Sequence, residues 1–320
     1  VKLREAGHEV ETIYLPFTDD LDYLLTQMNS FRLLELDTAF DRVITFRPPA
    51  HVVRHRRKVV WFIHHVRLLY DLWDSPYRLF PDNTHIRGIR GAVVRADTTA
   101  LREAHRVFTN SATVGGRLSR FNGIGSEVLY PPILRPELFT AGDHGDEIVC
   151  VSRLEPHKRQ MLLVEAMRLT RTPVRLRLSG VGLLHDYGDE LKRVVERHGL
   201  GDRVIIESRW ISEEEKAARL STALACAYVP HDEDSYGYPT LEAAHSARCT
   251  VTVSDAGGVP EFVQDRVNGL VAEPTPEALA DAFDRLHADR AMARRLGAAA
   301  RERLDELGIS WPNVIEKLLA

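Results

Sequence analysis

Two cationic side chains stand close together at the end of a predicted strand. The stretch VSRLEPHKRQ places Arg153 at the end of that strand and Lys158 beside the start of the next helix. Cations in this position, next to the free N–H groups of a helix N-terminus, suit a diphosphate. The same two residues also fit a solvated basic surface around a turn.

Several carboxylates follow in the stretch DEDSYGYPTLEAA. Glu233 and Asp234 precede a glycine turn, and Glu242 belongs to a helix predicted from Thr240 to Ala247, with Thr240 as its cap. A carboxylate here can accept hydrogen bonds from both hydroxyls of a ribose. The alternative is that Glu242 lies in the first turn and only interacts with the helix dipole.

These segments are separated by alternating strands and helices, a pattern that predicts parallel sheets. A stretch rich in Pro, Gly and acidic residues, from Arg135 to Asp146, is predicted to link two such halves. In open α/β sheets, ligands bind at the carboxyl ends of the strands. We therefore expect two Rossmann-like domains whose parallel sheets face a central cleft. The predicted strands of the second half are EIVCVSRL, VRLRLSG, RVIIES, LACAYVP, CTVTVSD and NGLVAE.

After Val1 the chain continues with KLREAGHEVETIYLP, which predicts the end of a helix, a stop at Gly7 and His8, and a strand from about Glu9 to Leu15. A Rossmann-type domain begins with a strand and a glycine-bearing turn before such a helix. We therefore expect the first strand of the N-terminal domain to be missing.

Composition excludes several classes of protein. The 320 residues suit two domains, and the net charge of −4 disfavours a nucleic-acid partner. The three cysteines are scattered and form no CxxC pair, which favours a reducing compartment and no metal site. No apolar run reaches the ~20 residues that span a bilayer. We expect a cytoplasmic protein.

The second half resembles the nucleotide-binding domain of glycosyltransferase family 4. The G/S-R-L-x-x-x-K motif of that family is matched at Arg153 and Lys158, and the end of its Glu-x7-Glu motif is matched by SYGYPTLE with Glu242 as the second glutamate. The resemblance implies that the two cations bind the donor phosphates and that Glu242 holds the ribose. Strict spacing puts the first acidic position on Asp234, with Glu233 one residue upstream, so either could contact the donor sugar.

The same resemblance implies further donor-binding residues. Two glycine loops match family segments that approach the donor, and the middle of the glutamate motif belongs to the same site. These residues are Gly180 and Gly182 in SGVG, Gly257 and Gly258 in DAGGVPEFV, and Tyr236 and Gly237 in SYGYPTLE.

His64 and His65 end the predicted strand KVVWFIHH in the first half, so we expect them to face the cleft. In similar enzymes a histidine near this strand end lies close to the transferred sugar. The two are therefore candidate catalytic residues beside Arg153 and Lys158. The alternative is a hydrogen-bonded interior histidine.

The first half also carries a basic run, RHRRK, from Arg54 to Lys58. Residues 41–120 contain 14 Arg and one Lys against six Asp or Glu, a local balance of +9. A solvated basic surface is the ordinary interpretation. The functional one is attraction to an anionic acceptor or, through peripheral contact, to the inner face of a membrane.

The family resemblance implies the GT-B fold and a function. Residues 1–140 would be an acceptor-side domain truncated at its start, 141–308 the donor-binding domain, and 309–320 a helix that crosses back. The expected activity is metal-independent transfer of a hexose from a nucleotide-sugar to a glycan, lipid-linked or small-molecule acceptor, with retention and without a cofactor. The alternatives are a sugar-nucleotide epimerase of the related fold and a non-catalytic donor-binding relative.

Overall fold

The computed structural model describes residues 1–18, 20–75, 78–182 and 185–320. The chain divides into two compact units. The first unit comprises Val1–Pro131 and Trp311–Ala320, and the second unit is Pro132–Ser310. No helix within the described residues is long and apolar enough to cross a membrane.

The first unit contains a sheet of four parallel strands that lie side by side in chain order. All five residues of its second strand are buried, in keeping with the β-branched and aromatic composition of KVVWF. The strands are β1 Val43–Thr45, β2 Lys58–Phe62, β3 Arg106–Thr109 and β4 Glu127–Val128. The helices before and between them are α1 Lys2–Glu5, α2 Leu21–Arg32, α3 Thr84–Arg102 and α4 Ala112–Asn122.

The segment TVGGRLSRFNG predicts a helix that ends near Gly123, and local signals fix both ends of α4. The Ser111 hydroxyl accepts a hydrogen bond from the Val114 N–H at 3.0 Å, and Gly123 ends the helix with φ of 63°. For α3, the sequence predicts a helix from about Ala92 to Ala104, but the helix begins at Thr84. The Asn83 side chain caps it, and two early glycines had weakened the helical signal in the sequence.

The predicted strand from Glu9 to Leu15 is wrong, because this stretch pairs with no strand and forms no regular secondary structure. The Val10 carbonyl accepts hydrogen bonds from the Arg4 guanidinium at 2.6 and 3.0 Å instead of joining a ladder. Within the described residues, β1 pairs with β2 and no strand pairs with the other edge of β1. A segment without a neighbouring strand has no ladder of hydrogen bonds to join.

The second unit contains six parallel strands in the order β10-β9-β8-β5-β6-β7. From β5 the chain adds β6 and β7 on one side of the sheet. It then adds β8, β9 and β10 on the other side of β5. Such a reversal leaves a crevice at the carboxyl ends of the two central strands. The strands are β5 Glu147–Val151, β6 Arg175–Ser179, β7 Val204–Glu207, β8 Ala225–Ala227, β9 Thr250–Val253 and β10 Gly269–Ala272. The helices are α5 Gln160–Met167, α6 His185–Arg197, α7 Glu213–Thr222, α8 Tyr238–His245, α9 Val259–Phe262, α10 Pro276–Ala288 and α11 Arg290–Glu306.

The last helix, α12 (Trp311–Leu319), packs within the first unit. Its buried Val314 and Leu318 join a core cluster with Trp61 of β2 and Phe108 of β3. The Arg42 guanidinium also donates to the Leu318 carbonyl at 2.7 Å. The end of the chain is thus part of the core around the four-stranded sheet.

Truncating this apolar contact is expected to destabilise the first unit. Leu318→Ala removes a buried side chain and should lower the free energy of unfolding by about 2–5 kcal/mol. The exposed neighbour in Glu316→Ala should change it by less than about 0.5 kcal/mol. Urea unfolding followed by tryptophan fluorescence measures both, and equal stabilities would contradict the packing of α12.

Candidate functional site

The loops that follow β5 and β8 meet at the point where the winding of the second sheet reverses. The Lys158 ammonium forms an ion pair with the Glu233 carboxylate and donates to the Tyr228 hydroxyl at 3.1 Å. That hydroxyl donates in turn to Glu233 at 3.0 Å. We call Lys158, Tyr228 and Glu233 the lysine cluster. Lys158 is buried, so its charge is compensated inside the protein.

Arg159 fastens these loops to one another. It takes the left-handed conformation, with φ of 54°, which is uncommon for a residue other than glycine. Its guanidinium donates to the Val229 carbonyl at 2.8 Å and to both oxygens of Asp255, at 2.7 and 2.8 Å. Three loops, after β5, β8 and β9, are therefore held at one edge of the sheet.

The predicted glycine pair Gly257 and Gly258 lies against the Glu233 loop. Glu233 and Gly257 form a β-bridge, and the Gly258 N–H donates to the Glu233 carbonyl at 2.9 Å. Gly257 has φ of 65°, and a Cβ there would lie 2.3 Å from the Glu233 carbonyl oxygen. The close backbone approach that this loop permits therefore serves to position Glu233.

The loop after β6 lies beside the loop of Arg153. A Cβ on Gly180 would lie 1.9 Å from the Ser152 carbonyl oxygen, so only glycine fits there. Gly182, two residues on, is half-buried. The Arg153 side chain is exposed and forms no hydrogen bond or ion pair with the part of the chain that the structure describes. This leaves a cation at the sheet edge, beside a glycine loop.

Glu242 is buried inside α8, and Lys216 of α7 donates to its carboxylate at 2.5 Å. Burial raises the pKa of Glu242, while the lysine beside it opposes that shift. The helix begins at Tyr238, so Glu242 lies beyond its first turn and the helix-dipole explanation is wrong. The predicted cap is also wrong: Gly237 is the N-cap, and the Thr240 hydroxyl donates to backbone carbonyls of the preceding turn.

The rest of the SYGYPTLE motif shapes the loop. Tyr236 is buried, with its ring 6.2 Å from that of Phe262, so its ring faces the interior. Gly237 has φ of 72°, and a Cβ there would lie 2.2 Å from the ring of Tyr228. Asp234 is half-buried. Of the two acidic candidates, Glu233 is the one whose carboxylate joins the lysine cluster.

The two histidines of the first unit differ from each other. His64 is half-buried, but the His65 ring is buried and lies 4.1 Å from the ring of Tyr70, between centroids. Burial lowers the pKa of His65 to about 4. The expectation that both rings face a cleft fails for His65, because its ring packs into the core of the first unit. A ligand could reach it only after the side chain moved.

The basic run is not one continuous patch. Arg54, Arg56 and Arg57 are exposed at the amino end of β2. Lys58 is fully buried and donates to three backbone carbonyls, of His51, Val53 and Ala100, at 2.8–3.0 Å. Burial lowers the pKa of Lys58 to about 8. Lys58 therefore stabilises the core, and the surface charge comes from the arginines.

Sequence reasoning missed two partners of the predicted residues. Tyr228 follows β8 in AYVP, and a tyrosine at the end of a buried strand was the available signal. Lys216 lies on α7, in a sequence that is distant from Glu242, and only the packing of α7 against α8 brings the two together. Neither pairing is encoded by local spacing.

Residues 140–303 match the family model described as Glycosyl transferases group 1. The GDP-mannose-dependent alpha-(1-6)-phosphatidylinositol monomannoside mannosyltransferase of Mycobacterium tuberculosis is 31% identical over 193 residues, which cover 56% of this chain and 49% of that protein. The chain thus spans about half the length of this curated relative.

Solved structures show the same fold. Sucrose-phosphate synthase from Thermosynechococcus elongatus aligns with a TM-score of 0.75 at 21% identity, over 95% of this chain and 78% of that one. Anabaena HepE, solved in complex with UDP, aligns with a TM-score of 0.70 at 18% identity, over 93% and 81% of the two chains. The predicted fold class, two Rossmann-like domains with parallel sheets of the GT-B type, is confirmed.

The glycine loop at Gly257 provides a test of the site's backbone geometry. Gly257→Ala should destabilise the protein by more than about 2 kcal/mol, because the left-handed cost of about 1–2 kcal/mol is joined by a clash with Glu233. Gly199→Ala is the matched control, since Gly199 has φ of 63° and open space around it. Gly199→Ala should be destabilised only by the conformational cost of placing alanine in the left-handed region. Equal melting temperatures for the two variants would show that the Glu233 loop does not need this contact.

A second test concerns the carboxylate next to the loop after β6. Glu207 accepts hydrogen bonds from Ser179 at 2.9 Å and from Arg219 at 3.0 Å. Partial burial raises the pKa of Glu207, but these bonds outweigh it and lower the pKa to about 2. This stabilisation is complete above the unfolded pKa of about 4.3 and is lost as pH falls toward 2.

Glu207→Gln should therefore make the free energy of unfolding depend less on pH in the acidic range. Urea unfolding of wild type and variant between about pH 5 and pH 2 measures the difference, which should shrink as the pH falls. A difference that stays constant over this range would mean that the carboxylate is not stabilised by its partners.

Proposed function

The chain belongs to the Glycosyl transferases group 1 family, and we propose that it moves a hexose from a nucleotide-sugar donor to a glycan, lipid-linked or small-molecule acceptor. The proposal includes retention of configuration and independence from metal ions. Its donor class is supported by the names of the proteins it resembles, one of which depends on GDP-mannose and one of which was solved with UDP.

The observation that carries the proposal is the exposed guanidinium of Arg153 beside the Gly180 loop and the lysine cluster. A donor diphosphate that binds at this sheet edge would meet one cation without an ion-pair partner in the described chain and a second one, Lys158, that is already oriented by Tyr228 and Glu233. Charge that develops on the leaving diphosphate is stabilised most by donors fixed in advance.

In this proposal Glu242 holds the ribose. Its buried carboxylate is paired with Lys216, and its oxygens can accept hydrogen bonds from the two ribose hydroxyls. The ion pair between Lys216 of α7 and Glu242 of α8 would thus become part of the nucleotide site. The acceptor's proton would pass to the departing phosphate oxygen, which needs no side chain as a base.

We assign donor binding to the second unit and acceptor binding to the first. The exposed arginines at positions 54, 56 and 57 support an anionic acceptor or a peripheral contact with an acidic membrane surface. Each well-placed charge contributes about 1 kcal/mol to such attraction.

Removing the unpaired cation should impair transfer without harming the fold. Arg153→Ala should lower kcat/KM, because one charge-assisted contact to the leaving group is lost. The expected loss of transition-state stabilisation is about 2–4 kcal/mol. The melting temperature should stay unchanged, because the side chain is exposed. Arg168→Ala, at an exposed arginine of the same unit, is the control. Transfer at the wild-type rate in Arg153→Ala would remove the diphosphate role.

The roles of Glu233 and Asp234 can be separated by substitutions that remove the charge and keep the shape of the side chain. Glu233→Gln should impair turnover strongly, because it removes the carboxylate that orients Lys158. Asp234→Asn should have the smaller effect. Steady-state kinetics with the preferred donor measure both, and NMR of the product reports retention or inversion. A stronger effect at Asp234 would reverse the assignment.

A further inference from the structure

Two buried side chains of the first unit, His65 and Asn122, and the half-buried Thr98 form a hydrogen-bond chain with a defined direction. The Thr98 hydroxyl donates its one proton to the Val94 carbonyl at 2.7 Å, so it accepts from the Asn122 amide nitrogen at 2.8 Å. The amide oxygen of Asn122 then faces the Nε2 atom of His65 at 2.9 Å. Because a carbonyl oxygen only accepts, His65 carries its proton on Nε2.

The His65 ring is held in this orientation by aromatic neighbours. Its centroid lies 4.1 Å from that of Tyr70, 4.8 Å from that of Phe62 and 5.7 Å from that of Phe121. The Nδ1 atom is buried and has no hydrogen-bond partner among the described residues. A second proton on this ring would therefore be buried without an acceptor.

The charged groups near this ring do not alter that conclusion. Asp97 of α3 and Asp71 raise the pKa of His65 and His51 lowers it, but burial is the largest effect. Asp97 is already bonded to His51 at 2.8 Å and to the Tyr70 hydroxyl at 2.6 Å. His65 therefore remains neutral near neutral pH, and its ring keeps one orientation.

The backbone carbonyl of His65 supplies the hydrogen-bond acceptor for the ring of its neighbour His64. The Nδ1 atom of His64 lies 2.6 Å from the backbone carbonyl oxygen of His65. That oxygen can only accept, so Nδ1 of His64 carries a proton, and the opposite tautomer would set a lone pair against the oxygen. In neutral His64 the remaining Nε2 atom is then a hydrogen-bond acceptor, without a partner among the residues that the structure describes.

We propose that His65, Asn122 and Thr98 are positioning residues that fix His64 as the Nδ1–H tautomer and thereby present its Nε2 as an acceptor for a sugar hydroxyl. The proposal rests on the proposed function and on the family resemblance, by which a histidine near this strand end lies close to the transferred sugar. His65 itself touches no ligand. Its buried ring fixes the carbonyl, and the carbonyl fixes the tautomer.

The tautomers are directly measurable. Long-range proton–nitrogen correlation spectra of the protein with 15N-labelled histidine report which ring nitrogen of each histidine carries the proton. His64→Gln and His65→Gln assign the two rings by loss of signals. We expect Nδ1–H for His64 and Nε2–H for His65. A His64 signal with the proton on Nε2, or averaged between the two nitrogens, overturns the proposal.

Matched variants test whether the chain acts on His64. Thr98→Val removes the hydroxyl that orients Asn122, whereas Thr99→Val removes an exposed hydroxyl that also bonds to the carbonyl four residues earlier. Thr98→Val should mix the His64 tautomers and lower kcat/KM about fivefold to tenfold. Thr99→Val should do neither. Unmixed tautomers in a folded Thr98→Val protein would contradict the proposed coupling.

A second pair separates packing from hydrogen bonding. His65→Phe fills the site with a ring that cannot donate, and His65→Gln keeps a donor for Asn122. Partial rescue of the His64 tautomer and of turnover in His65→Gln relative to His65→Phe supports the proposal, and the reverse order overturns it. If no nucleotide-sugar is turned over by the wild type, the proposed function fails, while the histidine spectra still decide the tautomer.

Discussion

The ion pair between Lys158 and Glu233 lies where the six-stranded sheet reverses its direction of winding, and the candidate site is organised around it. A buried lysine is costly unless its charge is compensated, and breaking a buried pair costs about 3–5 kcal/mol. The loops after β5 and β8 must therefore keep one relative geometry. Tyr228 adds hydrogen bonds to both charges, and burial raises the pKa of that hydroxyl, which keeps it a donor.

This constraint extends outward through the backbone. Glu233 can reach Lys158 because its loop bridges to Gly257, where no side chain fits. Gly180 allows the same close approach beside Arg153. The glycines thus set the shape of the sheet edge, and the charged groups fill it. Arg153 is exposed where Lys158 is buried, so one cation is oriented and the other is accessible, an arrangement that favours an anionic ligand.

Much of the second unit could be predicted because its signals are local. The strand at EIVCV, the cap at Ser212 and the stop at Gly199 follow from patterns within a few residues. Long-range pairings such as Lys216 with Glu242 leave no local pattern. The predicted strand from Glu9 to Leu15 failed because a strand also needs a neighbour. His65 shows the same limit, since its position at a strand end indicated a ligand contact while tertiary packing placed its ring in the core.

The central claim, that this member of the Glycosyl transferases group 1 family binds a nucleotide-sugar through the edge of the second sheet, is tested most directly by titration calorimetry. The panel would contain UDP-, GDP- and ADP-sugars, titrated into the wild-type protein and into Glu242→Gln. We predict that one donor binds in a one-to-one complex and that its affinity falls in the variant, because the carboxylate proposed to hold the ribose is lost. Binding of that donor with the same affinity in Glu242→Gln, or no binding of any donor, would contradict the account.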